Sequence, residues 1–215
     1  MKMKILISIA CVWFTLIACT KQEVINSGIA SPYFDGTMMD YLRSDKYNWE
    51  LTVQMIERAD LTDLFEGRVD TLPEITFFAP PSYSILRFLY ESQENTNPDE
   101  NYQAVKNMSV KLCREYILKH VVKGKYLKKD IGYRNQAYPI NDEQQDGGTW
   151  LRCLGGNQII AYQETTEYGG VPNAGAILLR VYSPAYGTVP MASPDIQPKN
   201  GVVHALNYSY SLGNI

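Results

Sequence analysis

The chain has 215 residues, of which 45% are hydrophobic, with 15 glycines and 11 prolines along it. This mixture excludes a disordered tail, and the length fits one domain, since domains typically have roughly 100–200 residues. The chain contains 20 Lys and Arg residues against 23 Asp and Glu residues, which gives a formal charge of −3. Binding to nucleic acid through a general basic surface is therefore excluded, unless a local basic patch provides it.

The first residues differ in composition from the rest and are typical of an export signal. Lys2 and Lys4 form a short cationic start, and residues 5–18 carry no charge. This apolar stretch is shorter than the about 20 residues that span a bilayer, so we predict a cleaved signal peptide over residues 1–18. Cys19 directly follows the small Ala18, an arrangement that resembles the bacterial lipobox. An ordinary signal peptide that happens to end near a cysteine is the alternative.

A lipobox implies that the thiol of Cys19 is diacylated, with chains such as palmitate, and becomes the new N-terminus. We predict that residues 19–34, which are polar and rich in small residues, form a tether, and that residues 35–215 form the folded domain. Thr20 rather than Asp follows the cysteine, which favours the bacterial outer membrane. The sequence leaves open whether the domain faces the periplasm or the cell surface.

Apolar residues recur at intervals of three or four in the first half of the sequence. This spacing predicts helices over residues 37–65, 82–89 and 105–119. Thr37 is followed three positions later by Asp40, which is the spacing of a capping box. The first helical region is therefore predicted to begin at Thr37.

The second half of the sequence has the patterns of strands. Strands are predicted at residues 75–79, 150–154, 158–162, 176–182 and 202–206. Pro80 and Pro81 end the first strand, and Ser82 is predicted to cap the helix that follows. Because helices come mostly before strands instead of alternating with them, the sequence predicts an α+β fold.

Three segments, in this order, resemble the signatures of fasciclin-type domains. They are Thr-Phe-Phe-Ala-Pro at 76–80, Leu-Lys-His-Val-Val-Lys-Gly at 118–124, and Asn-Gly-Val-Val-His-Ala-Leu at 200–206, preceded by Asp195 and Ile196. The resemblance implies a wedge of two β-sheets, with helices packed around the N-terminal half. Lys119 replaces the tyrosine that commonly precedes the central histidine, so the integrin binding of some animal relatives is not expected here.

His120 and His204 are the only histidines in the sequence. A zinc site needs three or four ligands, and the sequence contains none of the short His, Cys or Ser motifs of metal-dependent or nucleophilic enzymes. The resemblance implies that both histidines are buried and hydrogen-bonded within the fold. We therefore predict a protein that is not an enzyme and that has no cofactor and no metal site.

Cys113 and Cys153 are the cysteines that follow the predicted anchor. An exported chain can form disulfides, so these two residues could be bridged. The alternative is two buried thiols that behave as small hydrophobic residues. We favour the thiols, because Cys113 lies in an apolar helical row.

Five lysines lie within residues 119–129, with Arg134 nearby, and form a local basic stripe. Lys123, Lys125, Lys128 and Lys129 are the candidate ligand-binding residues of the chain, for lipid phosphates or acidic glycans. The alternative is a sheet edge guarded by lysines against pairing with other strands.

Tyrosine is also frequent, with 16 residues. Its amphipathic ring suits sugar faces and protein interfaces, although exported β-rich domains also use it as an ordinary strand residue. The tyrosines that fall in predicted loops or at strand ends are Tyr126, Tyr133, Tyr138, Tyr162, Tyr168 and Tyr186.

From these features we expect an exported, lipid-anchored adhesion or scaffolding lipoprotein that presents a fasciclin-like domain to a protein or glycan partner at the cell envelope. The alternative is a glycan-binding accessory lipoprotein of a polysaccharide-uptake system, which would use the tyrosines and the lysine stripe. The expected partners are the membrane and this ligand, with no nucleic acid. The sequence leaves the oligomeric state open.

Overall fold

The computed structural model describes residues 31–94, 97 and 100–215. The predicted signal peptide, Cys19 and most of the predicted tether lie outside the described residues. None of the helices found in the described part has the length and apolar character needed to cross a bilayer. The chain from Pro32 to Ile215 forms one compact unit.

Within the described residues, three helices precede the first strand: α1 (Met38–Ser44), α2 (Lys46–Arg58) and α3 (Thr62–Phe65). The predicted start is confirmed, because the Thr37 hydroxyl accepts the Asp40 N–H while the Asp40 carboxylate accepts the Thr37 N–H. The helical region predicted to continue from there is interrupted at Asp45, whose side chain accepts the N–H of Asn48 and caps α2. Gly67, with a φ of 73°, follows the end of α3.

Two further helices follow the strand β1 (Ile75–Ala79): α4 (Ser82–Gln93) and α5 (Val110–Leu118). The prediction that Ser82 caps α4 is wrong, because Pro81 occupies the cap position. The helix predicted from residue 105 begins instead at Val110. A short 3-10 turn covers Val105–Asn107, and the hydroxyl of Ser109 then caps α5 by accepting the N–H of Leu112.

The described residues contain seven more strands: β2 (Val121–Lys123), β3 (Thr149–Arg152), β4 (Gln158–Thr165), β5 (Ile177–Ser183), β6 (Gly187–Val189), β7 (Met191–Ile196) and β8 (Gly201–Leu206). They form two four-stranded sheets with β1, in the orders β2-β1-β8-β7 and β3-β4-β5-β6. The pair β1–β8 is parallel, with Ile75 opposite Gly201, and the other pairs are antiparallel. The predicted α+β class is confirmed.

Two clusters of buried side chains hold these layers together. Successive residues of a strand point to opposite faces, so Phe77 joins the cluster beneath the helices while Phe78 joins the cluster between the two sheets. Both rings are fully buried. Burial of a side chain of this size contributes about 1.5–3 kcal/mol, which makes β1 the central element of the fold.

The two cysteines lie in different clusters. Cys113 belongs to the cluster beneath the helices and Cys153 to the cluster between the sheets, and both are buried free thiols. Burial raises the pKa of Cys113 and raises the pKa of Cys153 to about 12. The preference for two unreactive core thiols over a disulfide is confirmed in this structure.

Candidate functional site

Both histidines are buried, and both ring nitrogens of each are hydrogen-bonded. In His120, Nδ1 lies 2.7 Å from the carbonyl oxygen of Tyr116 and Nε2 lies 2.8 Å from the hydroxyl of Tyr210. Because a carbonyl only accepts, Nδ1 carries the proton and Nε2 accepts from the tyrosine. Burial lowers the pKa of His120 to about 4, so the ring is neutral at pH 7.

His204 has the opposite arrangement of donor and acceptor. Its Nε2 donates to the carbonyl oxygen of Tyr126 at 2.8 Å, and its Nδ1 accepts the N–H of Asp195 at 3.1 Å. Burial also lowers the pKa of this histidine. The prediction of buried, hydrogen-bonded histidines is confirmed, and neither ring has a nitrogen left for a substrate.

The predicted lysine stripe is divided between engaged and free side chains. Lys119 forms an ion pair with Glu115 at 2.9 Å, and the Nζ of Lys128 donates to the carbonyl oxygen of Ile177 at 2.6 Å. Lys123, Lys125 and Lys129 have no ion pair or side-chain hydrogen bond within the part of the chain that the structure describes. A ligand-binding role for this region stays a prediction. Lys123 lies on β2, the outer strand of the first sheet, but the far side of β2 is already bridged to Cys153 and accepts the N–H of Leu154, which weakens the edge-guarding alternative.

The six tyrosines predicted from the sequence lie in different environments. Tyr133, Tyr168 and Tyr186 are exposed, whereas Tyr162 is buried in β4. The structure instead groups another set of exposed tyrosines, which the sequence analysis missed.

A groove of about 600 Å³ lies between the start of α2, the start of α4 and the segment after β8. Its walls carry the rings of Tyr47, Tyr83 and Tyr208, whose exposed fractions are 88%, 55% and 49%. Leu51 and Leu86 also line it. We call this surface the tyrosine groove. The volume lies within the range of about 300–1,000 Å³ that is usual for small-molecule sites.

The turn between β1 and α4 places the start of α4, which forms one wall of the groove, beside α2. The hydroxyl of Thr52 donates to the carbonyl oxygen of Pro80 at 2.6 Å, and the hydroxyl of Ser82 accepts the N–H of Leu51 at 3.1 Å. These two contacts fix the start of α4 against α2. Ser82, predicted as a helix cap, is therefore a residue that positions the groove.

The rings of the groove are held by contacts with one another and with neighbours. Tyr83 and Tyr208 meet edge to face, with centroids 6.3 Å apart and an interplanar angle of 82°. The hydroxyl of Tyr208 donates to Oδ1 of Asn48 at 2.7 Å. The guanidinium carbon of Arg87 lies 5.7 Å from the centroid of the Tyr83 ring, a cation–π contact.

A second depression of about 270 Å³ continues the groove along α4 and shares Tyr83 and Leu86 with it. It extends past Arg87 to Tyr90, which is 62% exposed. Tyr83, Leu86 and Tyr90 follow one another at intervals of three and four, so they lie on one face of the helix, away from the buried Ile85. This second apolar stripe was the signal in the sequence that could have revealed the groove.

Charges at the rim of the groove have both signs. Lys46 and Glu50 line the main groove, and Arg87, Glu91 and Glu94 line the second depression. Throughout the residues that the structure describes, no three His, Cys, Asp or Glu side chains are grouped so that they could hold a metal ion. The arrangement offers aromatic faces and hydrogen-bonding groups to a ligand.

No protein-family model matches the sequence, and the search of curated proteins finds no match either. Among solved structures, a FAS1 domain pair from the insect cell adhesion molecule fasciclin I matches with a TM-score of 0.53 and 16% sequence identity. The match covers 82% of this chain and 50% of that one. This chain has the fasciclin fold. At this identity the likeness concerns the fold alone, and the chain spans half the length of the matched structure.

The three segments that resemble fasciclin signatures lie side by side in this fasciclin fold. Residues 76–80 contain most of β1, residues 118–124 contain β2, and residues 200–206 contain β8. These are the three neighbouring strands β2-β1-β8 of the first sheet. The signatures therefore describe the framework of the fasciclin fold, whereas the tyrosine groove is formed by residues outside them.

Proposed function

We propose that this protein is an exported, lipid-anchored adhesion or scaffolding module, held at the bacterial outer membrane by acyl chains on Cys19. The observation that carries the proposal is the fasciclin fold, which the chain shares with domains of an insect cell adhesion molecule. The tyrosine groove supplies an exposed surface on which such a module can hold a partner.

The anchor is supported by the sequence of the first residues. Each acyl CH₂ that enters the bilayer contributes about 0.8 kcal/mol, and two chains give stable attachment where one gives only reversible binding. Diacylation of Cys19 meets this requirement. A polar tether before the domain would let the domain stand away from the membrane.

A non-enzymatic role is supported by the state of the polar groups in the domain. His120 and His204 are neutral, buried and fully hydrogen-bonded. The thiols of Cys113 and Cys153 are buried, with raised pKa values. These groups, which would be the usual bases and nucleophiles, serve packing.

The anchor is tested by growing cells with an alkyne analogue of palmitate and separating membranes from soluble proteins. The full chain is expected to carry the label and to stay with the outer membrane, whereas Cys19→Ser is expected to lose both. Cys11→Ser, a change within the predicted signal peptide, is the matched control and keeps the label. An unlabelled wild-type chain refutes the anchor.

Adhesion is tested with cells that display the full chain and cells that display a Tyr47→Ala/Tyr83→Ala double variant at equal amounts. We expect the first to attach to neighbouring cells or to envelope material, and the second to attach several-fold less. If cells that display the full chain attach no more than cells without the protein, an adhesive role is refuted.

A second candidate function is a glycan-binding accessory lipoprotein of a polysaccharide-uptake system. The observation that favours it is the row of exposed tyrosines along the groove and α4. Deletion of the protein would then slow growth on one polysaccharide and leave growth on its monosaccharides unchanged.

A further inference from the structure

We propose that the tyrosine groove, together with the second depression along α4, binds a neutral glycan chain. This inference rests on the proposed function, because it names the chemical class of the partner and the residues that hold it. The rings of Tyr47 and Tyr83 would stack on sugar faces, and polar side chains at the rim would bind the hydroxyl groups.

The tyrosines are placed as a sugar-binding surface requires. A pyranose ring has a face of C–H groups and an edge of hydroxyls, and tyrosine likewise combines an apolar face with a polar tip. Tyr47 is 88% exposed, and its side chain has no hydrogen bond within the described residues. Its ring is therefore available to a ligand.

Two of the three tyrosines of the groove, Tyr83 and Tyr208, are already held in place by their neighbours. Tyr83 meets Tyr208 edge to face and makes a cation–π contact with Arg87, and Tyr208 is held by Asn48. A tyrosine side chain has only two rotatable angles to fix, and fixing them before binding lowers the entropic cost of association.

Hydrogen-bonding groups lie beside the rings. The Oγ of Ser82 accepts the N–H of Leu51, which leaves its own O–H free to donate. Lys46 and Glu50 line the groove, and no ion pair or side-chain hydrogen bond engages them in the part of the chain that the structure covers. A donor and an acceptor of this kind suit neighbouring hydroxyls of a sugar.

The length of the surface favours a chain over a single sugar. Tyr83 and Tyr90 are seven residues apart on α4, which corresponds to about 10 Å along the helix. The groove and the second depression share Tyr83 and Leu86 in their walls, so they are neighbours on the surface. A ligand that contacts both must therefore be longer than one ring.

The charges favour a neutral glycan over an anionic one. The main groove is lined by one cation, Lys46, and one carboxylate, Glu50, and the second depression by one cation, Arg87, and two carboxylates, Glu91 and Glu94. An acidic polysaccharide would meet these carboxylates without an excess of positive charge. The volume of the groove, about 600 Å³, lies within the range that is usual for small-molecule sites.

The test uses the full chain in detergent on an array of neutral and acidic glycans, followed by calorimetric titration with a neutral oligosaccharide that is retained. Tyr47→Ala is expected to weaken binding at least fivefold, and Tyr47→Phe, which keeps the ring, less than twofold. Tyr168→Ala, at a tyrosine outside the groove that is 75% exposed, is the matched control and leaves binding unchanged. Thermal unfolding confirms that each variant is folded.

Three results overturn the inference. They are the absence of neutral-glycan binding across the array, neutral-glycan binding that Tyr47→Ala leaves unchanged, and binding of acidic glycans alone that is lost in a Lys125→Ala/Lys128→Ala/Lys129→Ala variant. A protein partner that is lost in the Tyr47→Ala variant, with no glycan retained, also overturns it but leaves the adhesion proposal standing. Failure of the Cys19→Ser experiment concerns the anchor and leaves the glycan site untouched.

Discussion

Acidification is expected to destabilise the domain through His120, which is buried and neutral when folded. Burial lowers the pKa of His120 to about 4 in the folded state, whereas a histidine in an unfolded chain has a pKa of about 6.5. Between these values the unfolded state binds one more proton. The contribution of neutral His120 to the free energy of unfolding is therefore complete above pH 6.5 and is lost as the pH falls toward 4. The separation of the two pKa values corresponds to about 3 kcal/mol of unfolding free energy.

The assay is urea unfolding at pH 7 and pH 4, followed by tryptophan fluorescence on the non-acylated Cys19→Ser chain with and without His120→Gln. A glutamine oxygen can accept from the hydroxyl of Tyr210 but does not titrate. Carboxylates and His204, whose pKa burial also lowers, titrate alike in both proteins, so the difference isolates His120. We expect the His120 protein to lose about 3 kcal/mol more than the variant between the two pH values. Equal losses would refute the assignment of His120 as a neutral core residue.

Two further predictions concern single buried positions, measured by the yield of soluble protein and, for each variant that folds, by urea unfolding. Tyr210→Phe removes the hydroxyl that donates to Nε2 of His120 and leaves a buried acceptor unsatisfied, which should cost about 1–3 kcal/mol. A loss below about 0.5 kcal/mol would contradict that bond. Gly201→Ala should abolish soluble folding, because φ is 148° there and a Cβ would collide with the carbonyl oxygen of Ile75 in the parallel β1–β8 pair. Gly156→Ala, where a Cβ meets nothing within 4 Å, should remain folded and lose about 1 kcal/mol.

The layers of the fold could be predicted because their signals are local. The capping pair Thr37 and Asp40 predicted the correct start of α1, and the strands predicted at 150–154 and 158–162 are found as the antiparallel pair β3–β4. The break at Asp45 could not be predicted from periodicity, since α1 and α2 continue the same spacing of apolar residues across it. A side-chain cap decided the boundary there.

Only the α4 side of the tyrosine groove had a signal in the sequence, because the other walls come from distant parts of the chain. Tyr47, Tyr83 and Tyr208 meet only when the β1 turn brings α4 against α2 and the segment after β8 crosses them. Leu86 illustrates the same limit. An apolar residue in the predicted helix 82–89 is expected to face the core, but Leu86 is 36% exposed, since no other element covers that face of α4 in the described structure.

The parallel pairing of β1 with β8 joins strands that are separated by more than half of the chain. Contacts this remote form slowly, because the intervening loop must close before the strands gain anything from meeting. The first sheet is complete only when β8 lies between β1 and β7. The apolar side chains of the helices, which pack against this sheet together with Val203 and Ala205 of β8, therefore reach their full burial only when this remote pairing forms.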